Sequence, residues 1–253
     1  MDSLTVIKAG TGVLTKVSDG TLDSASLVRL VTAIAGLTEK GHRCLLVSSG
    51  AVGAGVSAFG LEGYPEDLDT RQACAAVGQA RLMHTYESLF QNFGLSVAQV
   101  LLVGADLETE ERRRNVKGTL DRLLKEESIL PIINENDSVA VEELRVGDND
   151  TLSANVARVV GAKRLILLTS VDGLLSPESD ELIPEVAEVD EVMDFAKDEQ
   201  GKFSIGGMAS KLKAVKLAVE SGIETHIANG RQPERLDAIM SGEESVSTRF
   251  LAK

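Results

Sequence analysis

With 253 residues, 43% of them hydrophobic, the chain is long enough for one large α/β domain or two small ones with a substantial core. Its 39 acidic residues against 26 basic ones give a formal charge of -13, which disfavours a nucleic-acid surface, since holding a phosphate backbone takes clustered Lys and Arg. Cys44 and Cys74 are its 2 cysteines, a usage that suits a reducing compartment and leaves no disulfide framework; with no leader-like N-terminus and no run of about 18 apolar residues, neither secretion nor membrane spanning is expected, and the cytoplasm is the expected location.

Leu4 to Ile7 reads as a short strand ended by Lys8, and Ala9-Gly10-Thr11-Gly12 follows as a glycine turn that lets backbone approach a ligand. A cation there suits a phosphate, although a solvated lysine beside an ordinary turn is the commoner reading of such a pattern. No Walker A loop occurs. Asp23 or Ser24 can cap a helix carrying Leu27, Leu30, Val31, Ile34 and Leu37 at helical spacing, with Gly41 at its end. Cys44 to Val47 forms the second strand and runs into Ser48-Ser49-Gly50-Ala51-Val52-Gly53-Ala54-Gly55, a bend whose backbone N–H groups could cradle a carboxylate or a phosphate. Gly53-x-Gly55-x-x-Ala58 imitates a dinucleotide fingerprint, but it starts several residues past the strand and no well-placed acid closes the unit.

Thr70 to Phe93 reads as one or two helices, interrupted near Gly78, that bury Ala73, Val77, Leu82, Leu89 and Phe90, with His84 at the surface. Ser96 to Val103 is the third strand, and Glu108 to Glu127 is a charged helix whose arginines face solvent. Ile129 to Ile133 is the fourth strand. It leads into Asn134-Glu135-Asn136-Asp137, and after a short excursion, in which Arg145 could pair with an α-carboxylate, Gly147-Asp148-Asn149-Asp150 precedes a helix over Thr151 to Val160. Asp150 stands at the N-cap position of that helix, and capping alone would explain it. The functional reading has both polar blocks converging on one crevice at the strand ends, where Asn136, Asp137 and Asn149 hold an amino acid and Asp150 organises cations around a phosphate.

Arg164 to Thr169 is a fully buried strand, and Glu178 to Gln200 is an acidic, irregular cover. Gly206 and Gly207 then open a helix with Lys211 one turn in, which physically makes an anion site: orphan N–H groups, a positive dipole end and an ammonium. Thr225 to Ala228, with His226 as a plain strand histidine, and a last helix to Met240 complete the pattern. Its alternation implies an α/β fold, a mainly parallel sheet sandwiched between helices in a single domain.

Ile133-Asn134-Glu135-Asn136-Asp137 and Val146-Gly147-Asp148-Asn149-Asp150, together with Lys8-x-Gly10-Thr11-x-Val13-Leu14, the Ser49-Gly50-Ala51 block, Ala76-Val77-Gly78-Gln79-Ala80 and Gly206-Gly207-Met208-x-x-Lys211, resemble the amino-acid kinase family, and within it the branch that phosphorylates the side-chain carboxylate of glutamate. The resemblance runs from Lys8 to near Phe250. It implies that ATP and L-glutamate give glutamate 5-phosphate, the first step toward proline, with Mg2+ on the ATP phosphates and no metal held by the protein alone. Lys8, Asp150 and Lys211 are then the catalytic residues, and Ser49, Gly50, Asn134, Asp137, Asp148 and Asn149 bind the amino acid. ATP falls to Lys8, Gly10, Thr169, Ser170, Gly206, Gly207, Met208 and Lys211.

The same resemblance implies one kinase domain over residues 1–253, its N-terminal part holding the amino acid and its C-terminal part the nucleotide. It also implies proline as a feedback inhibitor, a homo-oligomer, and neither nucleic acid nor membrane as partner. The sequence stops where many bacterial relatives continue into a small RNA-binding-type (PUA) domain, so a kinase domain without it is expected. Ser170 replaces a usual aspartate, Leu175 a tyrosine and Ile205 a threonine, departures that bear on nucleotide affinity and base preference. A kinase for another small carboxylate and a non-catalytic sensor of the same fold are the competing readings.

Overall fold

Alternate residues of the central strands belong to two different apolar clusters, and this alternation sets the architecture. The computed structural model describes residues 4–140, 149–196, 207–242 and 247–253. In chain order they form β1 (Thr5–Ala9), α1 (Thr11–Leu14), α2 (Ser24–Glu39), β2 (Cys44–Ser48), α3 (Ala51–Val56), α4 (Leu68–Phe90), β3 (Ser96–Leu102), α5 (Glu110–Leu123), β4 (Ile129–Glu135), α6 (Asn149–Val160), β5 (Arg164–Thr169), β6 (Glu185–Val186), α7 (Met208–Val219), β7 (Glu224–Asn229), α8 (Leu236–Ser241) and β8 (Ser247–Phe250). The strands make one sheet in the order β3-β4-β2-β1-β5-β7-β8-β6. The pairs from β3 across to β7 are parallel, and β8 joins β7 antiparallel. The α/β sandwich expected from the alternating pattern is therefore present.

Val6, Leu45, Val47, Ile133, Leu165, Leu167 and Ile227 project to one face, where they pack with Leu120 of α5, Leu152 and Val156 of α6, and Leu212 and Val215 of α7. Their sequence neighbours Ile7, Leu46, Ile132, Ile166 and Leu168 project to the other, against Leu27, Leu30 and Ile34 of α2, Leu82 and Tyr86 of α4, and Ile239 of α8. A period of two on a parallel sheet covered on both sides explains why these strands read as unbroken apolar runs. Each parallel crossover returns the chain to the same edge, so the carboxyl ends of β1, β2, β4, β5 and β7 share one rim. At the opposite rim Glu224 accepts from Arg164, His226 and Arg249, which ties β5, β7 and the antiparallel β8 together. Hydrogen bonding from His226 and the two arginines outweighs partial burial and holds the Glu224 carboxyl well below the usual range. His226 is accordingly a structural strand residue, its basicity lowered by burial.

Several boundaries differ from those read in the sequence. Lys8 lies inside β1 rather than after it, and β4 extends through Glu135. The helix expected to break near Gly78 runs unbroken from Leu68 to Phe90. Gly78 is there for a close approach and not for a break: a Cβ on it would lie 1.8 Å from the Ala51 carbonyl oxygen and 2.5 Å from the Gly55 amide nitrogen. Gly55 meets α4 in the same manner, since its Cβ would sit 2.0 Å from the Cys74 carbonyl oxygen. Val77, expected in the core, is 38% exposed, because α4 turns the Gly78 face to α3. Strands β6 and β8 were not foreseen, as two and four residues show too little periodicity. Arg145, Gly147, Asp148, Ile205 and Gly206 lie outside the described residues.

The close contact makes a paired prediction. Gly78→Ala should destabilise the fold by roughly 1–3 kcal/mol, as overpacking does, whereas Gly118→Ala, at an α5 position with nothing within 4 Å, should be neutral or stabilising. Urea unfolding of both variants beside the parent checks the contrast.

Candidate active site

Lys8 projects to the same face of β1 as Val6, between Val47 of β2 and Leu167 of β5 in register, so its stem crosses apolar surroundings. Only 4% of it is exposed, and its ammonium meets Asp150 of α6, which is fully buried. The Lys8 Nζ to Asp150 Oδ1 distance is 2.5 Å, and Lys211 of α7 reaches the other carboxylate oxygen at 3.1 Å. Asp150 thus bridges two ammonium groups from different elements. Burial alone would push its carboxyl up, but the two cations outweigh that and lower it to about 2. At neutral pH Asp150 is therefore a carboxylate shared between two lysines. Burying such charges is costly unless each is paired, and the bridging carboxylate provides that pairing for both lysines.

Asp150 is therefore not the cap that its sequence position suggested. Helix α6 begins at Asn149, Asp150 lies within its first turn, and its side chain is committed to the lysines. The commitment rests on the pairing of β1 with β5 and the packing of α6 on α7, neither of which is a local property.

Beside the trio, four carboxamides form a directed chain. Asn149 Nδ2 lies 3.0 Å from the Ser48 carbonyl, 2.8 Å from Ser49 Oγ and 2.9 Å from Asn134 Oδ1. The Ser48 carbonyl can only accept, which identifies the atom facing it as the amide nitrogen. Among the described residues Asn149 Oδ1 is then left buried without a hydrogen-bond partner, an acceptor available to a ligand donor. Asn134 Oδ1 also accepts from the Glu135 amide at 2.9 Å, and Asn134 Nδ2 donates to Gln79 Oε1 at 2.9 Å. Gln79 Nε2 donates in turn to Gln99 Oε1 at 2.8 Å. Gln79 and Gln99 line a cleft of about 280 Å³ with Glu135, Asn136, Asp137 and Ser138. Asp137 is half-buried there and shares the cleft with Gln79, the partner of Asn134; Asn134 and Asn149 are not among its lining residues. Gly50 allows the turn that presents Ser49, its φ of +97° being one that side chains rarely adopt.

The residues expected to meet a nucleotide lie along β1, β5 and the start of α7. Gly10 binds the Leu168 carbonyl through its N–H at 3.3 Å, and a Cβ on it would sit 3.3 Å from Lys8 Nζ. Thr169 ends β5, its carbonyl held by the Gly230 N–H at 2.8 Å, and Ser170 is exposed just beyond it. Gly207 is the N-cap of α7 and Met208 its first residue, and among the described residues no side chain caps the helix. Asp23, Asp67 and Thr109 do cap α2, α4 and α5. The uncapped start of α7 leaves donors and a positive dipole end facing the rim, one turn from Lys211. Gln79 and Gln99 are the site residues that reading the sequence missed. The stretch Ala76 to Ala80 matched a family pattern, but nothing local gives Gln79 a role, because its partner Asn134 is 55 residues away.

A parallel α/β sheet that gathers a buried cation pair, a bridging carboxylate and an uncapped helix at its carboxyl rim defines a phosphate-handling α/β protein. More particularly, the chain belongs to the amino acid kinase family, whose model matches residues 3–229. A protein of Moorella thermoacetica named Glutamate 5-kinase is 46% identical over 98% of this chain and 66% of its own length. A Clostridium acetobutylicum protein of the same name is 42% identical over 98% of this chain and 94% of its own. The chain thus spans just under two thirds of the first relative and nearly all of the second. Among solved structures, carbamate kinase from Giardia lamblia bound to AMP-PNP superposes with a TM-score of 0.70 at 14% identity, over 100% of this chain and 99% of that one. N-acetylglutamate synthase from Neisseria gonorrhoeae gives 0.71 at 14% identity, over 99% of this chain and 60% of that one. These two similarities show the fold.

Asp150→Asn keeps the shape and deletes the charge. It should lower stability at neutral pH, because removing one partner of a buried pair costs about 3–5 kcal/mol. The depressed carboxyl also predicts a pH dependence. Its contribution is complete above the ordinary value of 3.8 and is lost as pH falls toward about 2. Urea unfolding between pH 6 and pH 2.5 should therefore show a shallower acid limb in the Asn variant than in the parent.

Proposed function

We propose that this protein transfers the γ-phosphoryl group of ATP to the side-chain carboxylate of L-glutamate, forming L-glutamate 5-phosphate and ADP, the first step toward proline. The observation that carries this reading is the buried carboxylate of Asp150 bridging Lys8 and Lys211, with the Ser49, Asn134 and Asn149 cluster next to it. The names of the relatives favour glutamate over other small carboxylates. A carboxylate of ordinary pKa about 4.3 is ionised at neutral pH, so the nucleophile needs no general base. A glutamate oxygen bonds to the γ-phosphorus as the bond from phosphorus to the ADP oxygen breaks, and no proton changes place.

Catalysis then reduces to alignment and charge neutralisation. Lys8 and Lys211 meet the charge that develops on the phosphoryl oxygens, and Asp150 holds the two ammonium groups at a set separation before the ligands arrive. Gly10, Thr169, Ser170, Gly207 and Met208 flank the nucleotide, with Gly206 completing the glycine pair. Mg2+, carried on the ATP phosphates, supplies further neutralisation when bound. Ser49, Gly50, Asn134, Asp137 and Asn149 hold the amino acid, Asp137 suiting its α-ammonium, and Asp148 belongs with them. The N-terminal part of the chain supplies most of the amino-acid side and the C-terminal part the nucleotide side. Proline is the expected feedback inhibitor, competing at the glutamate site, in a cytoplasmic homo-oligomer.

Purified protein with ATP, Mg2+ and L-glutamate should form an acyl phosphate that hydroxylamine traps as the hydroxamate. Silence with glutamate, aspartate and acetylglutamate alike would defeat the kinase reading in favour of a sensor. Lys8→Ala and Lys211→Ala should each lower kcat by about 100-fold or more, in line with removal of one donor to a developing oxyanion. Asp137→Ala should instead raise the glutamate KM more than about tenfold and spare part of kcat, as loss of a charged partner in a pocket does. Saturating proline should raise the apparent KM for glutamate; an unchanged glutamate titration would remove the regulatory part alone.

A further inference from the structure

Gln79 lies outside the catalytic trio and outside the residues expected to hold substrate, yet it ends the chain of carboxamides that orients two of them. We propose that Gln79 is a positioning residue for the amino-acid substrate, acting through Asn134 on Asn149. The inference rests on the kinase reading above and goes beyond it by assigning a role to a helix α4 residue.

The direction of each hydrogen bond supports this role. A buried carboxamide can present its oxygen or its nitrogen to a given neighbour, and the two faces have almost the same shape. Asn149 must present nitrogen to Ser49 Oγ and Asn134 Oδ1 if its own Oδ1 is to remain open as an acceptor. The Ser48 carbonyl, which can only accept, also holds that nitrogen, and the bond to Asn134 forms only while Asn134 presents oxygen toward Asn149. Two contacts keep Asn134 so oriented: the Glu135 amide donates to its oxygen, and its nitrogen donates to Gln79 Oε1. Gln79 faces the same two-way choice; accepting from Asn134 Nδ2 sets its oxygen inward and leaves its nitrogen to donate to Gln99 Oε1. Gln99 is exposed and its own amide can turn, so the order is fixed at the inner end, by the Ser48 carbonyl and the Glu135 N–H, with Gln79 as the outer acceptor that holds Asn134 to it.

Backbone packing keeps Gln79 in place. Its neighbour Gly78 lies against the Ala51 carbonyl with no room for a Cβ, and Ala51 directly follows Gly50 in the loop that presents Ser49. The helix bearing Gln79 and the loop bearing Ser49 are therefore registered on each other, and the relay ends on both. A merely structural role would be served by any side chain filling the gap between α4 and β4. The relay requires an acceptor at that point, facing Asn134 Nδ2. Gln79 also lines the cleft that contains Asp137, which sets it on the amino-acid side and away from the residues along β5 and α7 expected to meet nucleotide.

The test is steady-state hydroxamate formation with Gln79→Leu, which keeps volume and removes the acceptor, and Gln79→Glu, whose carboxylate still accepts from Asn134. For Gln79→Leu the glutamate KM should rise about tenfold, equivalent to about 1.4 kcal/mol, with kcat within about twofold of the parent and the ATP KM unchanged. Gln79→Glu should stay within about threefold of the parent KM. Combined with Asn149→Ala, Gln79→Leu should add little to the effect of the single Asn149 variant, since one acts through the other. The inference is overturned by an unchanged glutamate KM in Gln79→Leu, by equal rises for glutamate and ATP, by a tenfold rise in Gln79→Glu, or by additivity in the double variant. A parent protein inert toward glutamate defeats the functional reading and this inference with it, whereas an active parent with an indifferent Gln79→Leu defeats the inference alone.

Discussion

One buried carboxylate between two ammonium groups is the constraint on which the site depends. Asp150 has no exposed surface, and an isolated charge there would not be tolerated; it is ionised because Lys8 and Lys211 each take one of its oxygens. The pairing acts in both directions. Without Asp150 the two ammonium groups would repel one another at the end of an apolar strand row, and without the lysines the carboxyl would be driven toward its neutral form. The fold supplies this arrangement by bringing the first turn of α6 and the first turn of α7 over the end of β1. The surrounding core sets the lysine separation, so the trio lies at the rim as a fixed set of two lysines on one carboxylate.

A second constraint, steric rather than electrostatic, organises the other half of the site. Helices α3 and α4 approach until backbone touches backbone, which only Gly55 and Gly78 permit. That contact places the Ser49 turn, the start of α3 and the polar face of α4 in one rigid unit against β4. The carboxamides of Asn149, Asn134 and Gln79 then have few ways to hydrogen-bond, and the observed chain of donors satisfies them in sequence while leaving Asn149 Oδ1 open. The two halves meet at neighbouring residues, Asn149 and Asp150, whose side chains diverge to the carboxamides and to the lysines. A single helix start thereby couples the orientation of the amino acid to that of the phosphoryl-binding cations.

Much of this was legible in the sequence because it depends on local rules. The buried strands Cys44–Ser48 and Arg164–Thr169 announce themselves as apolar runs, and α2 shows its helical spacing and its Asp23 cap. The dense polar block after β4 marks the rim, and Lys8, Asn134, Asn149, Asp150 and Lys211 stand out by residue type and by their places at strand ends and helix starts. Two readings failed for reasons that are not local, and at Asp150 the cap and the organiser of cations were both open. Gly78 resembles a helix breaker, but its neighbour α3 makes it a contact point. Val77 resembles a core residue, but the same contact turns it outward. Asp150 resembles a cap, since aspartate at a helix start usually is one, and only the lysines arriving from β1 and α7 give its charge another use.

The sequence by itself determined the alternation of strands and helices, the glycine turns and the set of charged and amide side chains available at the strand ends, because side-chain periodicity and backbone freedom act over a few residues. Tertiary structure alone decided who meets whom. Asp150 meets Lys211 across 61 residues, and Asn149 meets Ser49 across 100. Such pairings are set by strand order, by the face toward which each residue projects and by how closely two helices can pack, and no window of sequence contains that information. The role of Gln79 belongs to this second class: its amide has a direction only because Asn134, Gln99 and the backbone of α3 are brought to it by the fold.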